Sequence, residues 1–397
     1  MGAERSVRDE LVDRLLEHLG WMCVTGEEGP IAEAVAAHYA AADLPVQRVG
    51  ESLVVGAPDP EDDRPLVLLV GHLDVVPPTD DDLEPRIETR GGQEIVVGRG
   101  ASDMKAGNVV AMDLFEDVEL RAASPYQLAL VLYAGEEGGA DANQLRQVLA
   151  AVPWLADAAL AVVLEPTDGQ VQLGCLGGLH ALLTFQGRQA HSARPWHGRN
   201  ALTLAGPLLT ELEHDPLVEV EVDGITYHDV WSATQAWSEG LGPDAGTSEG
   251  LGPDAGARPD TNARRAPARN IIPATFTINL NFRFAPSRGL AAAEEELRAY
   301  IGERATIEIT DRVPAAPPRL DHPVVASFVA AVGAEVAGKQ AWTDVARFAE
   351  IEVPALNYGP GLTAQAHQRG EYVPVAAVVD AATRLRAFLR GSDGAVQ

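Results

Sequence analysis

A run of five apolar residues, Leu66 to Val70, ends at Gly71 and is followed at once by His72 and Asp74. An unbroken apolar run of this length is typical of a strand that is buried on both faces of a sheet. Side chains alternate along an extended chain, so His72 and Asp74 point to the same side. Open α/β sheets carry their sites at the carboxyl ends of their strands, and this position favours a functional role for both residues.

Two further apolar runs end in the same way. Leu128 to Tyr133 is followed by Glu136 and Glu137, and Leu160 to Leu164 is followed by Glu165. Helical patterns are predicted over 6–20, 105–114, 321–337 and 375–389, and another strand is predicted over 353–357. Apolar strands that alternate with helices predict an α/β fold whose sheet is mostly parallel.

The pattern changes near Gly177. Strands are predicted over 179–186, 226–237, 275–284 and 305–310, and helices over 200–212 and 291–301. Along 275–284, large apolar residues alternate with Thr, Asn and Arg283, which is typical of a strand with one buried face. The order strand-helix-strand-strand-helix-strand indicates a ferredoxin-like α+β domain. We therefore predict that residues 177–314 are inserted as a second domain into a first domain formed by residues 1–176 and 315–397.

A short repeat lies inside the predicted second domain. Residues 238–247 read SEGLGPDAGT, and residues 248–257 repeat them as SEGLGPDAGA. A segment rich in Gly, Pro and Asp cannot bury a core, and two copies are too few for a solenoid. We predict a connecting loop without a part in the chemistry.

Composition excludes two classes of partner. The 58 acidic residues outnumber the 30 basic ones, which gives a net charge of −28. Nucleic acids and anionic membrane surfaces both require clustered Lys and Arg, so neither is expected to bind. The chain has two cysteines, Cys23 and Cys175, and its first 20 residues lack the apolar core of a signal peptide. No apolar run reaches the roughly 18 residues of a membrane span, and we predict a cytoplasmic protein.

Several residues of metal-ligand type follow the predicted strands or lie in polar loops. They are His72, Asp74, Asp103, Glu136, Glu137, Glu165 and His367. Each has an alternative interpretation, because Asp103 could cap a helix, the paired glutamates could be solvated, Glu165 could belong to a turn and His367 could lie on the surface. Taken together, two histidines and several carboxylates are an inventory for two divalent ions that share a bridging carboxylate, with one carboxylate left to move protons.

The motifs around these residues resemble one enzyme family. The chain carries GHLDVVP at 71–77, GRGASDMKAG at 98–107, AGEEGG at 134–139, LEPT at 164–167, AHSARP at 190–195, NIIP at 270–273, NFRF at 281–284 and WTDVARF at 342–348. With these it resembles the zinc-dependent amidohydrolases and exopeptidases that include aminoacylase, acetylornithine deacetylase and the succinyl-diaminopimelate desuccinylases. It is most similar to the desuccinylase branch.

The resemblance implies a fold and a set of roles. The first domain would be catalytic, with a zinc-peptidase-like fold, and the second would be a lid and dimerisation domain. His72, Asp103 and Glu165 would hold one zinc ion, and Asp103, Glu137 and His367 a second, with cobalt as an alternative metal. Asp74 would orient His72, and Glu136 would be the general base.

The implied substrate is a small anionic N-acyl amino acid, with N-succinyl-LL-2,6-diaminopimelate as the leading candidate in lysine and peptidoglycan precursor synthesis. Another N-acyl-amino-acid deacylase or a zinc dipeptidase or carboxypeptidase of the same family is the alternative. Family positions that contact substrate match His191, Asn270, Arg283, Thr343 and Arg347. His191 would act across a homodimer or after domain closure. Two departures, Arg269 and the stretch 342–344, leave the acyl group open.

Two rival functions come from other classes. A non-catalytic binding protein of this fold would be expected to lack Glu136 or one of the metal ligands, and none is missing from this sequence. A metal-storage or scaffolding role for the acidic surface predicts loose metal stoichiometry, whereas the enzyme predicts about two ions per chain.

Overall fold

A computed structural model describes residues 6–139, 141–214, 217–238 and 270–391. Nearly all of the tandem decapeptide, and Arg269, lie outside the described residues. Within the described ranges the strands are β1 (Val46–Val49), β2 (Ser52–Val55), β3 (Leu66–His72), β4 (Arg86–Arg90), β5 (Gln93–Val97), β6 (Gln127–Tyr133), β7 (Leu160–Val163), β8 (Val171–Leu173), β9 (Gly177–Gln186), β10 (Ala190–His191), β11 (Leu217–Val222), β12 (Ile225–Ser238), β13 (Ile271–Ile272), β14 (Thr275–Phe284), β15 (Thr306–Val313), β16 (Val336–Gly338), β17 (Ala355–Asn357) and β18 (Tyr372–Pro374).

The helices of the described ranges lie between these strands and at both ends. They are α1 (Val7–Gly20), α2 (Gly29–Ala41), α3 (Ala106–Glu116), α4 (Val118–Ala123), α5 (Leu145–Ala151), α6 (Ala201–Leu204), α7 (Gly206–His214), α8 (Leu290–Ile301), α9 (Pro323–Val332), α10 (Val345–Glu350) and α11 (Val375–Leu389). None of these helices combines the length and the apolarity that a bilayer span requires.

An eight-stranded sheet forms the centre of the main fold, in the order β1-β2-β6-β3-β7-β17-β8-β16. Its four central strands β6, β3, β7 and β17 are parallel to one another. Strand β3 is buried along its whole length. Val67 and Leu69 pack against one cluster of core residues, together with α1, α3 and α11, whereas Leu68 and Val70 pack against another, together with α5 and α10. The predicted mostly parallel α/β sheet is confirmed.

A second, five-stranded sheet has the order β11-β12-β14-β9-β15, and all of its neighbours are antiparallel. Its last four strands have the ferredoxin-like arrangement that the sequence predicts, and β11 is an additional edge strand. The apolar residues of β14 pack against α7 and α8, and Trp231 stacks on Phe282 with 3.6 Å between ring centroids. The strands of this sheet run from Gly177 to Val313 in the chain. The domain boundaries 1–176, 177–314 and 315–397 stay predictions.

Two of the predicted helices are wrong in extent. The helix predicted over 321–337 ends at Val332, because Gly333 adopts a left-handed φ of +60° that terminates the helix. The chain then forms β16, which extends the edge of the main sheet beside β8. The helix predicted over 200–212 is divided into α6 and α7 around Ala205. Pro207 has no backbone N–H, so a continuous helix through this point would lack one of its hydrogen bonds.

Candidate metal centre

His72 is the last residue of β3, and its side chain is fully buried. The chain requires glycine at position 71, because a Cβ there would lie 1.9 Å from Oδ1 of Asn108 in α3. Nδ2 of Asn108 donates to the carbonyl of His72 over 2.6 Å. The close approach of α3 therefore fixes the backbone that presents the imidazole.

Asp103 lies in the loop between β5 and α3, where its backbone is not helical and the Asp103–Met104 peptide bond is cis. The buried carboxylate of Glu371 holds this loop. It accepts hydrogen bonds from the backbone N–H of Asp103 at 2.9 Å, of Ser102 at 2.8 Å and of Gly100 at 3.0 Å. Arg99 also donates to it over 2.9 Å. The Glu371 carboxylate thus satisfies three backbone N–H groups of a loop that is not part of a regular helix or strand.

Asp82 extends this network. Its carboxylate lies 3.1 Å from Nη2 of Arg99 and accepts hydrogen bonds from the backbone N–H of Gly370 and Glu371. The side chains of Asp82, Arg99 and Glu371 are each no more than 2% exposed. Buried charges of this kind are stabilised only when they are paired.

The sequence analysis did not identify Asp82, Arg99 or Glu371 as functional. The signal was present in Arg99, inside the motif at 98–107, and in Glu371, four residues after His367.

Five predicted ligands converge beside this loop. Nε2 of His72 lies 3.3 Å from Oδ1 of Asp103, and Nε2 of His367 lies 3.5 Å from Oδ2 of the same carboxylate. His367 also approaches Oε2 of Glu137 at 2.8 Å. Two sets of donor atoms, each lying within 4.8 Å of one another, are formed by His72, Asp103 and Glu165 and by Asp103, Glu137 and His367. Asp103 belongs to both sets, as a bridging carboxylate would.

The chemistry of these donors fits divalent cations. Imidazole and carboxylate are ligands of zinc and related ions. Oε1 of Glu165 is buried and has no hydrogen-bond partner among the described residues, although an unsatisfied buried carboxylate oxygen is costly. A cation between Glu165, His72 and Asp103 would satisfy it. The alternatives of a helix cap for Asp103 and a turn position for Glu165 do not hold, because Lys105 is the N-cap residue of α3 and the turn begins only at Asp168. Both side chains are buried within this cluster.

The charges of the cluster show the same need for a cation. Burial and the nearby charge of Asp103 raise the pKa of Glu165 to about 7. Hydrogen bonds to Asp103 and Glu137 raise the pKa of His367 to about 10, so its imidazole is held in the charged form. Protons on His367 and Glu165 thus offset the negative charge of the crowded carboxylates. A histidine must be neutral to bind a metal ion, so a bound ion would displace the extra proton of His367 and would offset the carboxylate charge in its place.

Asp74 lies beside His72, and its role in orienting that imidazole stays a prediction. Nδ1 of His72 lies 2.9 Å from the backbone carbonyl of Asp74 and 3.6 Å from its carboxylate, so the nearer group is the carbonyl. The carboxylate instead accepts hydrogen bonds at 3.0 Å from the backbone N–H of Glu136 and of Glu137, and at 2.8 Å from Thr25. Residue 74 therefore connects the loop after β3 to the glutamate pair after β6.

Two cavities meet at Glu136 and Trp342. The larger, about 700 Å³, is lined by four of the predicted metal ligands, by Thr343 and by Lys339. The smaller, about 230 Å³, is lined by Arg283 and Arg347. Burial raises the pKa of the Glu136 carboxyl well above its usual value, and the charges of Glu165 and Asp344 add to this effect.

The structure divides the predicted substrate residues into two groups. Arg283, Thr343 and Arg347 line the two cavities, and the Thr343 hydroxyl donates to Asn357 over 3.0 Å. His191 and Asn270 do not line either cavity within the described part of the chain. His191 is the last residue of β10 and pairs with Ile271, Asn270 directly precedes β13, and both are exposed. Whether they contact substrate stays a prediction.

A model of peptidase family M20/M25/M40 matches residues 68–391. The chain belongs to this family. A Corynebacterium glutamicum relative named succinyl-diaminopimelate desuccinylase is 35% identical over 331 residues, which cover 81% of this chain and 80% of the relative. A Mycobacterium tuberculosis relative whose name contains the same words is 36% identical over 326 residues, or 82% of each chain. The resemblance inferred from the motifs is confirmed.

Two solved structures share the fold along nearly the whole chain. A tripeptidase from Staphylococcus aureus has a TM-score of 0.72 and 16% identity, with 96% of this chain and 98% of that chain covered. An M20 metallo-carboxypeptidase from Sulfolobus solfataricus has a TM-score of 0.68 and 16% identity, with 96% and 99% covered.

The network around Glu371 generates a first prediction. Glu371→Gln keeps the size of the side chain but removes the charge that Arg99 and three backbone N–H groups contact. Loss of a group that orients a metal ligand typically weakens metal binding about 10- to 100-fold, and we expect that loss here. Competition against a chromophoric chelator measures zinc affinity independently of turnover. Glu213→Gln, on the exposed face of α7, is the matched control, and equal zinc affinity in both variants would contradict the proposed role.

Proposed function

We propose that this protein is a dinuclear zinc amide hydrolase that removes the succinyl group from N-succinyl-LL-2,6-diaminopimelate, releasing succinate and LL-2,6-diaminopimelate. The observation that carries the proposal is the pair of ligand groups that share Asp103, with the uncommitted carboxylate of Glu136 beside them. The two relatives named as desuccinylases support the choice of substrate. This step belongs to the synthesis of lysine and peptidoglycan precursors, and the cytoplasmic location stays a prediction.

Ions held by these ligands would supply Lewis-acid activation of the scissile carbonyl and of a water. Glu136 is placed for the proton transfers. It lines both cavities, and its carboxylate forms no hydrogen bond with the described residues, while its backbone is fixed by Asp74. A carboxylate whose pKa is raised is suited to take a proton from the attacking water and return it to the departing amine.

The Glu136 role predicts a separation between metal content and turnover. Glu136→Gln should lower kcat by about 10²- to 10⁴-fold, the usual contribution of general acid–base catalysis, and retain about two zinc ions per chain. Glu137→Gln should lose zinc, because Glu137 is placed as a ligand. Metal analysis by mass spectrometry beside a steady-state assay measures both quantities. Zinc loss in Glu136→Gln with retention in Glu137→Gln would mean that the roles of the two glutamates are reversed.

Positive groups near the cluster support an anionic substrate. Arg283 and Arg347 both line the smaller cavity beside Glu136. Nε of Arg347 is buried without a hydrogen-bond partner among the described residues, and its nearest carboxylate contact, to Asp344, is 3.6 Å. The planar guanidinium suits bidentate binding of a carboxylate. We propose that these arginines, with Thr343, contact carboxylates of the substrate, and His191 and Asn270 would join them on domain closure.

Substrate preference tests the assignment within the family. The zinc-loaded protein should have a higher kcat/KM for N-succinyl-LL-2,6-diaminopimelate than for N-acetylornithine, whose acetyl group lacks the carboxylate that the arginines would bind. Release of the free amine can be followed with both compounds under identical conditions. A clear preference for N-acetylornithine, or for a dipeptide tested beside them, would reject the succinyl assignment and favour the alternative deacylase or dipeptidase function.

We also propose a homodimer that forms through the antiparallel sheet. Strand β11 is the edge of that sheet, and Leu217 and Val218 on it are 55% and 48% exposed. Exposed apolar residues on an edge strand favour pairing with another chain. Sedimentation equilibrium should give twice the 42.0 kDa mass of one chain, and Val218→Lys should shift the protein towards monomer. A monomeric wild-type protein at micromolar concentration would contradict this.

A further inference from the structure

Lysine is nearly absent from this chain. Of its 30 Lys and Arg residues, only Lys105 and Lys339 are lysines. Both are buried, with 1% and 7% of their surface exposed. An ammonium is a compact point charge, whereas a guanidinium is a wide planar group that fits different partners. In a chain that uses Arg at every other basic position, these two buried positions indicate sites where the compact cation is required.

The two lysines have different surroundings. Nζ of Lys105 donates to the backbone carbonyls of His18 and Trp21, and so joins the end of α1 to the loop that carries Asp103. Lys339 follows β16 and lines the larger cavity with the predicted metal ligands. Its Nζ donates to the carbonyl of Pro166 over 3.0 Å. Lys105 therefore has a structural role, whereas Lys339 faces the space where a substrate would lie.

Lys339 lacks a full set of partners in the protein. An ammonium has three N–H donors, and the Pro166 carbonyl is the one side-chain hydrogen bond that Lys339 forms with the described residues. Its Nζ forms no ion pair with a carboxylate in the described part of the chain. A buried cation is costly unless it is paired, so an acceptor that enters the cavity would be stabilised there.

Metal ions in the two ligand groups would increase the need of Lys339 for a negatively charged partner. Lys339 and the Glu165 carboxylate line the same cavity, and their opposite charges attract each other. Two divalent cations in the neighbouring ligand groups would compensate Glu165 and would themselves repel Lys339, because the charges have the same sign. A negatively charged group in the cavity would then offset the charge of Lys339. An N-acyl amino acid brings carboxylates within a few bonds of its scissile amide.

We propose that Lys339 binds a carboxylate of the substrate and thereby selects anionic N-acyl amino acids over neutral amides. The inference rests on the proposed function, because it takes the amide to be hydrolysed at the ligand groups around Asp103. Two carboxylate sources share this chemistry, the succinyl arm and the diaminopimelate arm. Lys339 is a binding residue here, and it takes no part in proton transfer.

The experiment replaces the cation in the full-length, zinc-loaded protein. Lys339→Met should raise KM for N-succinyl-LL-2,6-diaminopimelate by about 10- to 100-fold, the usual loss for a hydrogen bond to a charged group, and change kcat by less than about threefold. Lys339→Gln keeps a donor for the Pro166 carbonyl without the charge and should raise KM similarly. Arg390→Met removes one positive charge from an exposed position and should leave KM unchanged, which controls for the large net charge of the chain.

Product binding identifies the carboxylate. Isothermal titration of succinate and of LL-2,6-diaminopimelate measures affinity without turnover, and Lys339→Met should weaken at least one of them about tenfold. The weakened product identifies the arm that Lys339 contacts. Unchanged affinity for both products, zinc loss in both Lys339 variants, or a fall in kcat at constant KM would overturn the proposal. If wild-type protein fails to hydrolyse the succinyl substrate, the proposed function is rejected, while the two titrations still test the carboxylate site separately.

Discussion

The crowding of carboxylates around Asp103 is the interaction on which the rest of the site depends. Asp103 lies between His72 and His367, and Glu137 and Glu165 lie beside it in largely buried positions. Like charges at such short distances repel strongly where water is excluded. The cluster is therefore stable only with positive charge among it, from protonated histidines or from divalent ions. A site of this kind favours bound cations, because they offset the repulsion between its carboxylates.

The surrounding structure holds these ligands against that repulsion. Glu371 and Asp82 both pair with Arg99, and Glu371 holds the loop of Asp103 through its backbone N–H groups. Asp74 accepts hydrogen bonds from the backbone of Glu136 and Glu137. These carboxylates are buried too, but each is satisfied by backbone N–H groups or by the guanidinium. The protein thus uses buried acidic residues for two distinct purposes. Some are satisfied by the protein itself and provide rigidity, and others are left incomplete and are available to metal.

The cavities would give the proposed site its selectivity. Cationic side chains line both cavities that meet at Glu136, with Arg283 and Arg347 in the smaller cavity and Lys339 in the larger. Arg283 comes from the antiparallel sheet, whereas Arg347 and Lys339 come from the main fold. A substrate that carries carboxylates on both sides of its amide would contact both parts of the protein. Binding and the relative position of the two sheets would then be coupled.

The sequence by itself determined the sheet class and the identity of the metal-ligand candidates. Apolar runs such as 66–70 show burial on both faces, and β14 shows one buried face, because side-chain alternation is a local property. The network of Asp82, Arg99 and Glu371 and the exposure of Lys339 to the cavity were decided only by the tertiary structure. Glu371 and Asp103 are 268 residues apart in the chain, and no local periodicity records that contact. The physical reason is that propensity acts between neighbours along the chain, whereas compensation of a buried charge depends on which distant groups the fold brings within a few ångströms.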